Sequence, residues 1–150
     1  MDQEAKKNAY LYCKFRDEQF ALYDEYAKRH GMMMKTLLVV NVLFYAADGM
    51  AQAEICRRTF QSKQTVNLIV KNLAAQGYVA VAGAPDDKRI KIVRMTEAGR
   101  AYCGHVVRHI TRAEDEAMAM LTPDEQERLV ELSRKFTKNL TTLINTETED

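Results

Sequence analysis

Residues 62–99 read "SKQTVNLIVKNLAAQGYVAVAGAPDDKRIKIVRMTEAG" and carry the pattern that decides the fold. Ser62 is a favourable N-cap residue, and apolar residues then recur at helical spacing until Gly77 supplies a helix stop. Two short runs rich in β-branched residues follow, Tyr78–Ala82 and Ile90–Met95. The stretch therefore predicts one helix followed by two strands.

The segment between the two strands has the chemistry of a tight hairpin tip. Residues 84–87 read Ala-Pro-Asp-Asp, a composition that favours a turn, and two bases, Lys88 and Arg89, follow at once. We therefore expect a two-stranded hairpin with a charged tip.

The chain before Ser62 predicts three helices. Residues 5–29 form a long amphipathic pattern, and a second, strongly apolar pattern covers Met33–Ala47. A short helix is expected over Ala51–Arg58, directly before the helix that runs from Ser62 to about Gln76. These last two helices form a helix-turn-helix.

The chain after the hairpin predicts two long helices. Thr96 is placed to cap a helix that extends to about Met120. The segment Thr122–Glu125 then supplies a capping residue, a proline at the first helical position and an acid three residues after the cap. Residues 147–150 are expected to be frayed. The whole fold is predicted to be mainly α with one hairpin.

The charges are distributed unevenly, although the net charge of the chain is only +1. The segment 57–94 has a net charge of +6, which leaves about −5 for the remainder. Its eight bases are Arg57, Arg58, Lys63, Lys71, Lys88, Arg89, Lys91 and Arg94, and its two acids are Asp86 and Asp87. A basic centre with acidic flanks favours a protein that binds a polyanion with its middle region.

The cysteines and the hydropathy pattern indicate a soluble, cytoplasmic protein. Cys13, Cys56 and Cys103 are odd in number and widely spaced, so reduced thiols are expected and neither a disulfide framework nor a cysteine zinc site is indicated. No apolar run approaches the roughly 18 residues that span a membrane, and the N-terminus lacks the apolar stretch of a signal peptide.

Residues 51–102, "AQAEICRRTFQSKQTVNLIVKNLAAQGYVAVAGAPDDKRIKIVRMTEAGRAY", resemble the DNA-binding core of the MarR family of bacterial transcription regulators. Asp87 and Arg89 stand at the D-x-R positions of that family, and residues 95–99 resemble its L-T-x-x-G motif. The resemblance implies an α+β winged helix, in which the hairpin is the wing. It also implies that the Asp and Arg pair with each other and that Lys88 reaches DNA.

The same resemblance implies the organisation of the chain. Residues 1–150 would form a single MarR-like unit, with the winged helix-turn-helix at about 33–95. The long helices at about 5–30 and 97–145 would be dimerisation elements, and their apolar stripes agree with that role. A homodimer that binds double-stranded DNA at a pseudo-palindromic operator, acting as a repressor, is the expected function.

The outward face of the helix after Ser62 provides candidate DNA contacts. Glutamine and asparagine can read adenine bidentately, and lysine can reach guanine or phosphate. A solvated polar face is the alternative interpretation of this helix taken alone. With the wing included, the candidate DNA-binding residues are Ser62, Lys63, Gln64, Thr65, Asn67, Leu68, Lys71, Asp87, Lys88 and Arg89.

Three positions depart from the pattern of the family. Met33 and Ala51 stand where threonine or serine caps are usual, so these two helix starts are less well defined by the sequence. Leu68 stands where many members have arginine, which suggests an apolar contact with a thymine methyl instead of a guanine or phosphate contact. The operator therefore cannot be copied from a relative.

Three kinds of effector are compatible with the sequence. His105 and His109 are spaced i and i+4 on one helix, as a metal site would need, but the second helix contributes no histidine. Cys13 lies near several tyrosines and could sense oxidants, although a buried, inert thiol is the alternative. A pocket lined by residues 32–34, all methionine, could take a small molecule. No metal site is assigned, and the effector stays unknown.

No catalytic constellation, glycine-rich phosphate loop or cofactor motif is present, so neither an enzyme nor a bound cofactor is predicted. A winged-helix protein-protein adaptor that does not bind DNA is the remaining alternative, since a fold does not fix a function. The salt dependence of DNA binding would separate a regulator from an adaptor.

Overall fold

The computed structural model describes residues 2–146, so the fraying predicted for residues 147–150 lies outside the described part of the chain. In chain order the elements are α1 Gln3–Arg29, α2 Met34–Phe44, β1 Met50–Ala51, α3 Gln52–Thr59, α4 Lys63–Ala75, β2 Val79–Gly83, β3 Lys91–Met95, α5 Glu97–Ala119 and α6 Pro123–Asn145. The mainly α winged-helix fold is confirmed. The chain divides within α5 into two compact units, the first ending at Arg108 and the second beginning at His109.

The core of the first unit is built mainly from apolar side chains. Leu43, Ile55, Val66 and Val93 have no more than trace exposure, and they come from α2, α3, α4 and β3 respectively. The buried hydroxyl of Tyr26 donates a hydrogen bond to the carbonyl of Val106 at 3.1 Å. Removing this apolar surface from water is the main force that holds the three helices of the winged helix against the sheet.

Helix α4 begins and ends as the sequence predicts. The Ser62 hydroxyl accepts a hydrogen bond from the backbone N–H of Thr65 at 3.1 Å. At the other end Gly77 has φ +79°, and the N–H of Tyr78 donates to the carbonyl of Leu73 at 2.9 Å. This is a Schellman ending, which favours glycine because a side chain is strained at positive φ.

The sheet has three strands rather than the two that the sequence predicts. β1 pairs with β3, Met50 opposite Val93, and gives the antiparallel order β1-β3-β2. A strand of two residues carries no alternating pattern, so the sequence offers no signal for it. Ala51 belongs to β1, and α3 therefore begins one residue later than predicted, at Gln52.

Two other boundaries differ in ways that cap chemistry explains. The predicted Met33–Ala47 helix ends at Phe44, and no basic residue or positive-φ glycine caps that end directly. Met33 and Ala51 are the N-caps of α2 and α3, and neither makes a side-chain capping hydrogen bond. Weak caps leave helix ends poorly specified by sequence, whereas the capping box at Thr122 begins α6 as predicted.

The T-x-x-G motif fixes the start of α5 against the sheet. Thr96 donates its hydroxyl to the carbonyl of Gly77 at 2.7 Å and its backbone N–H to the carbonyl of Tyr78 at 3.0 Å. The same hydroxyl accepts from the N–H of Gly99 at 3.0 Å. A Cβ at residue 99 would lie 2.1 Å from the Tyr78 carbonyl oxygen, so only glycine allows this approach.

We predict that Gly99→Ala destabilises the protein by about 1–3 kcal/mol, because the new methyl group overlaps backbone that cannot move aside. Thermal or urea unfolding measures the change. Gly104→Ala on the same helix is the comparison and should cost less, because its Cβ would meet only side-chain atoms, Nη1 of Arg108 at 3.1 Å and Cε2 of Phe44 at 3.2 Å. Equal stability of the two variants would contradict the close approach at Gly99.

Candidate nucleic-acid interface

Helix α4 has one buried and one exposed face, as the sequence predicts. Its buried residues are Val66, Ile69, Val70 and Leu73. Lys63, Gln64 and Lys71 are exposed, and the Leu68 side chain is 61% exposed. The exposed face therefore combines hydrogen-bonding groups, positive charge and one apolar side chain, which are the groups that read base edges and phosphates.

Asn67 is held by a residue that sequence reasoning missed. Its Oδ1 accepts a long hydrogen bond, 3.4 Å, from Nε2 of Gln52 in the first turn of α3, and its side chain is half-buried. The contact orients the amide of Asn67 and uses one lone pair of its oxygen. No sequence pattern links positions 52 and 67, because the contact exists only after α3 has packed on α4.

Ser62 and Thr65 are engaged with each other. The Ser62 hydroxyl donates to Oγ1 of Thr65 at 2.9 Å, in addition to capping the helix through the Thr65 N–H. Thr65 is half-buried, whereas Ser62 is exposed. The main structural role of these two candidate residues is therefore to fix the first turn of α4.

The wing is the hairpin of β2 and β3, and its tip is organised by an ion pair. The Arg89 guanidinium donates from Nε and Nη2 to the two carboxylate oxygens of Asp87, both at 3.0 Å. The backbone N–H of Arg89 also donates to Asp87 at 3.0 Å. The Asp-Arg pairing that the family resemblance implies is thus present, in the bidentate geometry that fixes the orientation of an arginine.

The ion pair lowers the pKa of the Asp87 carboxyl below its ordinary value, first through the Arg89 side chain and then through its backbone N–H. It raises the pKa of Arg89 in turn. The Arg89 side chain is 91% exposed, so the guanidinium is held at the surface rather than buried by the pairing. Its charge remains accessible to a ligand.

A close backbone contact shapes the rest of the tip. The Cα of Gly83 faces Lys88 so closely that a Cβ at residue 83 would lie 2.8 Å from the Lys88 Cα. The N–H of Ala84 donates to the carbonyl of Ile90 at 2.8 Å, which closes the hairpin. Lys88 is exposed at the end of this turn, as the sequence predicts.

A groove of about 570 Å³ joins α3, α4 and the wing. It is lined by Gln52, Ala53, Cys56, Arg57, Lys63, Asn67, Arg89, Ile90 and Lys91. Four of these residues are cations and none is an acid. Arg57 and Arg89 have acidic partners beside the groove, Glu54 and Asp87, so Lys63 and Lys91 supply the net positive charge that favours an anion. The concentration of bases in the sequence indicates such a surface, but it does not show that Arg57 and Lys91 lie beside Lys63 and Arg89.

Two of the three histidines, His30 and His105, are in ring contact. The rings of His30, the C-cap of α1, and His105 on α5 have centroids 5.6 Å apart, and the ring of His30 also packs on Tyr26 at 4.7 Å. Among residues 2–146, however, no three His, Cys, Asp or Glu side chains form a group that could hold a metal ion. The sequence does not predict the contact between His30 and His105, because this contact depends on the packing of α1 against α5.

The thiols and methionines occupy different environments. Cys103 is buried, and burial raises the pKa of its thiol; the side chain donates to the carbonyl of Gly99 at 3.0 Å. Cys13 and Cys56 are half-buried, and Cys56 lines the cationic groove. Of the three methionines proposed to line a pocket, residues 32 and 34 are buried in the core and Met33 is 71% exposed.

Residues 37–90, which include α3, α4 and most of the wing, match the model of the MarR family. The match covers less than half of the chain, which is similar to the MarR family over these residues. The uncharacterised HTH-type transcriptional regulator YdgJ of Bacillus subtilis is 26% identical over 98 residues, which cover 65% of this chain and 60% of YdgJ.

Two solved structures share the fold of this chain. AbsC, a MarR family transcriptional regulator from Streptomyces coelicolor, has a TM-score of 0.80 at 14% identity and covers 95% of this chain and 98% of its own. The MepR–DNA complex of S. aureus has a TM-score of 0.72 at 18% identity, with 89% and 97% covered. The high TM-scores show a shared fold, and at identities this low they show the fold alone.

The part of the chain between residues 2 and 146 contains no helix that is both long and apolar enough to cross a bilayer.

We predict that Asp87→Asn releases the Arg89 side chain, because the amide cannot accept two hydrogen bonds as the carboxylate does. The Arg89 Nε–H signal in NMR spectra should then lose its shifted position and its protection from exchange. In the unchanged protein the same loss should occur on acidification. The folded-state pKa of Asp87 is lowered, so the pair is complete above the ordinary carboxyl pKa and is lost as the pH falls through the lowered value.

Asp86→Asn is the control for Asp87→Asn, since it removes an equal charge from the neighbouring position of the same turn. An Arg89 signal that responds equally to both substitutions would contradict a specific pair between Asp87 and Arg89.

Proposed function

We propose that the protein is a sequence-specific DNA-binding regulator of transcription, that it represses its target genes, and that it acts as a homodimer on a pseudo-palindromic operator. One observation carries the proposal. The exposed face of α4 and the wing arginine held by Asp87 border a single groove that contains four cations and no acid. A polyanion that enters the groove would contact both elements at once.

The geometry supports different roles for α4 and the wing. A helix that carries the exposed Gln64 and the half-buried Asn67 fits the major groove, where these side chains can pair with adenine. The wing tip carries Lys88 and Arg89, which suit phosphates or the adjacent minor groove. The crystallised MepR–DNA complex lends support, since it shows that a protein of this fold binds DNA.

The apolar surface of the long helices supports the homodimer. α6 has no buried residue along its described length, and Leu132, Leu143 and Ile144 are each more than half exposed. On α1 the exposed aromatic residues include Tyr10, Phe15 and Phe20. Two long helices with apolar stripes in water are best explained by a partner that covers them, and a second copy of the chain satisfies this requirement symmetrically.

The proposal predicts two separable effects on DNA binding. Gln64→Ala should relax sequence preference and weaken binding to a selected site by about 1–3 kcal/mol. Lys63→Ala, Lys71→Ala and Lys88→Ala should instead weaken binding to all sequences and reduce the salt slope by about one unit each. Fluorescence anisotropy on a site selected from random duplexes, measured across salt concentrations, gives both quantities.

Lys138→Ala on α6 is the matched control, because it removes an exposed lysine that lies outside the groove. It should leave both affinity and salt slope unchanged. If the wild-type chain selects no sequence and its binding is insensitive to salt, the regulator proposal fails and the adaptor alternative stands. A salt slope unaffected by Lys88→Ala would remove the wing from the interface.

The homodimer has its own test. Leu143→Asp places a charge on the exposed apolar stripe of α6 and should convert the protein to a monomer at micromolar concentration in sedimentation experiments. Circular dichroism should show unchanged helix content, because residue 143 is 71% exposed and packs in no core. Thr141→Asp on the same helix is the control. A monomeric wild-type protein at micromolar concentration would overturn the homodimer.

The proposal includes a small-molecule effector that acts by favouring the conformation that does not fit the operator. Operator binding should be measured with zinc, a chelator, an organic peroxide and aromatic acids. Zinc dependence that is lost in the double variant His105→Ala/His109→Ala would select the metal alternative. Peroxide release that is lost in Cys13→Ser would select the redox alternative.

A further inference from the structure

The side chain of Phe60, in the turn between α3 and α4, is 95% exposed, the largest value among the large apolar residues that the structure describes. Its backbone has φ +55° and ψ +34°, in the left-handed region. It is the one residue other than glycine with positive φ in the described part of the chain. Both the conformation and the exposure are unfavourable for phenylalanine, and glycine would avoid both.

The turn holds Phe60 in this conformation on both sides. The N–H of Phe60 caps α3 by donating to the carbonyl of Cys56, and the N–H of Gln61 donates to the same carbonyl at 3.3 Å. The Gln61 side chain donates to the carbonyl of Lys35 at 3.1 Å, which ties the turn to the start of α2. The ring therefore points into solvent from a fixed backbone.

The surroundings of the Phe60 ring are basic. Arg57 and Arg58 lie in the last turn of α3, and Lys63 is the first residue of α4. No acidic residue occurs between Ile55 and Pro85. Arg57 forms an ion pair with Glu54, whereas none of the ion pairs among the described residues includes Arg58 or Lys63. The positive charge that remains beside the exposed ring is complementary to the negative charge of a nucleic acid.

We propose that Phe60 is a specificity-determining DNA contact, which packs its ring on the thymine methyl of a base pair at the edge of the half-site read by α4. Apolar side chains, phenylalanine included, recognise thymine in this way. The inference rests on the proposed DNA-binding function and extends its site beyond α4 and the wing.

The position of Phe60 in the helix-turn-helix supports this contact. The N-terminal residues of a recognition helix meet base edges, while the preceding helix crosses the backbone. Phe60 lies two residues before Ser62, the N-cap of α4, and two residues span at most about 7 Å. The ring is thus within reach of the base pair next to those that Lys63 and Gln64 would contact.

Phe60→Gly distinguishes the effect of the ring on DNA affinity from the effect of the backbone conformation on stability. The variant should melt about 2–4 °C higher than the wild type, because glycine relieves the positive φ. It should bind the selected site about tenfold more weakly, with an unchanged salt slope because the ring neutralises no phosphate. Phe60→Asn, which also tolerates positive φ, should lose affinity equally, and Phe60→Tyr should retain it.

Replacing thymines of the selected site one at a time by uracil locates the contact. Replacing one flanking thymine should weaken binding by the wild type and leave the affinity of Phe60→Gly unchanged. Wild-type affinity in Phe60→Gly would overturn the inference and leave the regulator function intact, whereas absence of DNA binding by the wild type would refute that function itself. A lower melting temperature in Phe60→Gly would show that the ring makes stabilising contacts within the protein, and it would also overturn the inference.

Photocrosslinking identifies the partner of the ring directly. A benzoylphenylalanine at position 60 should crosslink to the operator strand, and the same residue at position 15, an exposed phenylalanine on α1, should not. Crosslinking from position 60 to a second protein chain, or equal crosslinking to DNA from both positions, would contradict the assignment.

Discussion

The junction formed by Thr96 and Gly99 is the constraint on which the winged helix depends. Thr96 bonds the carbonyls of Gly77 and Tyr78, which end α4 and precede β2, and it caps α5 through Gly99. The end of the recognition helix, both wing strands and the start of α5 therefore meet at one point. The missing Cβ of Gly99 permits the approach, and a displacement of α5 would be transmitted to α4 and the wing through hydrogen bonds rather than through a flexible linker.

The surface built on this frame combines fixed and adaptable groups. Asp87 fixes Arg89 through two hydrogen bonds, and Gln52 orients Asn67, so both side chains have lost part of their conformational freedom before any ligand arrives. Lys63 and Lys88 remain exposed without such supports. In the proposed complex the fixed groups would favour specificity through preorganisation, and the lysines would supply attraction to phosphates at any sequence.

Helix-terminating and turn residues made most of the fold predictable. Ser62, Gly77, Thr96 and Thr122 each begin or end an element where the sequence placed that boundary. Their effect is local, because each satisfies backbone groups within a few residues. Where the cap is weak, as at Met33 and Ala51, the boundaries shifted or a strand went unnoticed, since β1 exists only through its pairing with Val93.

The sequence by itself determined the order of helices and strands, the buried and exposed faces of α4, the D-x-R pair of the wing and the basic centre of the chain. These features depend on periodicity, caps and charge, which are local properties of a sequence. Only the tertiary structure decided that Gln52 supports Asn67, that Arg57 and Lys91 share a groove with Lys63 and Arg89, and that His30 meets His105. It also revealed the exposed ring and positive φ of Phe60. Contacts between distant residues arise from the packing of helices and strands, and no spacing along the chain encodes them.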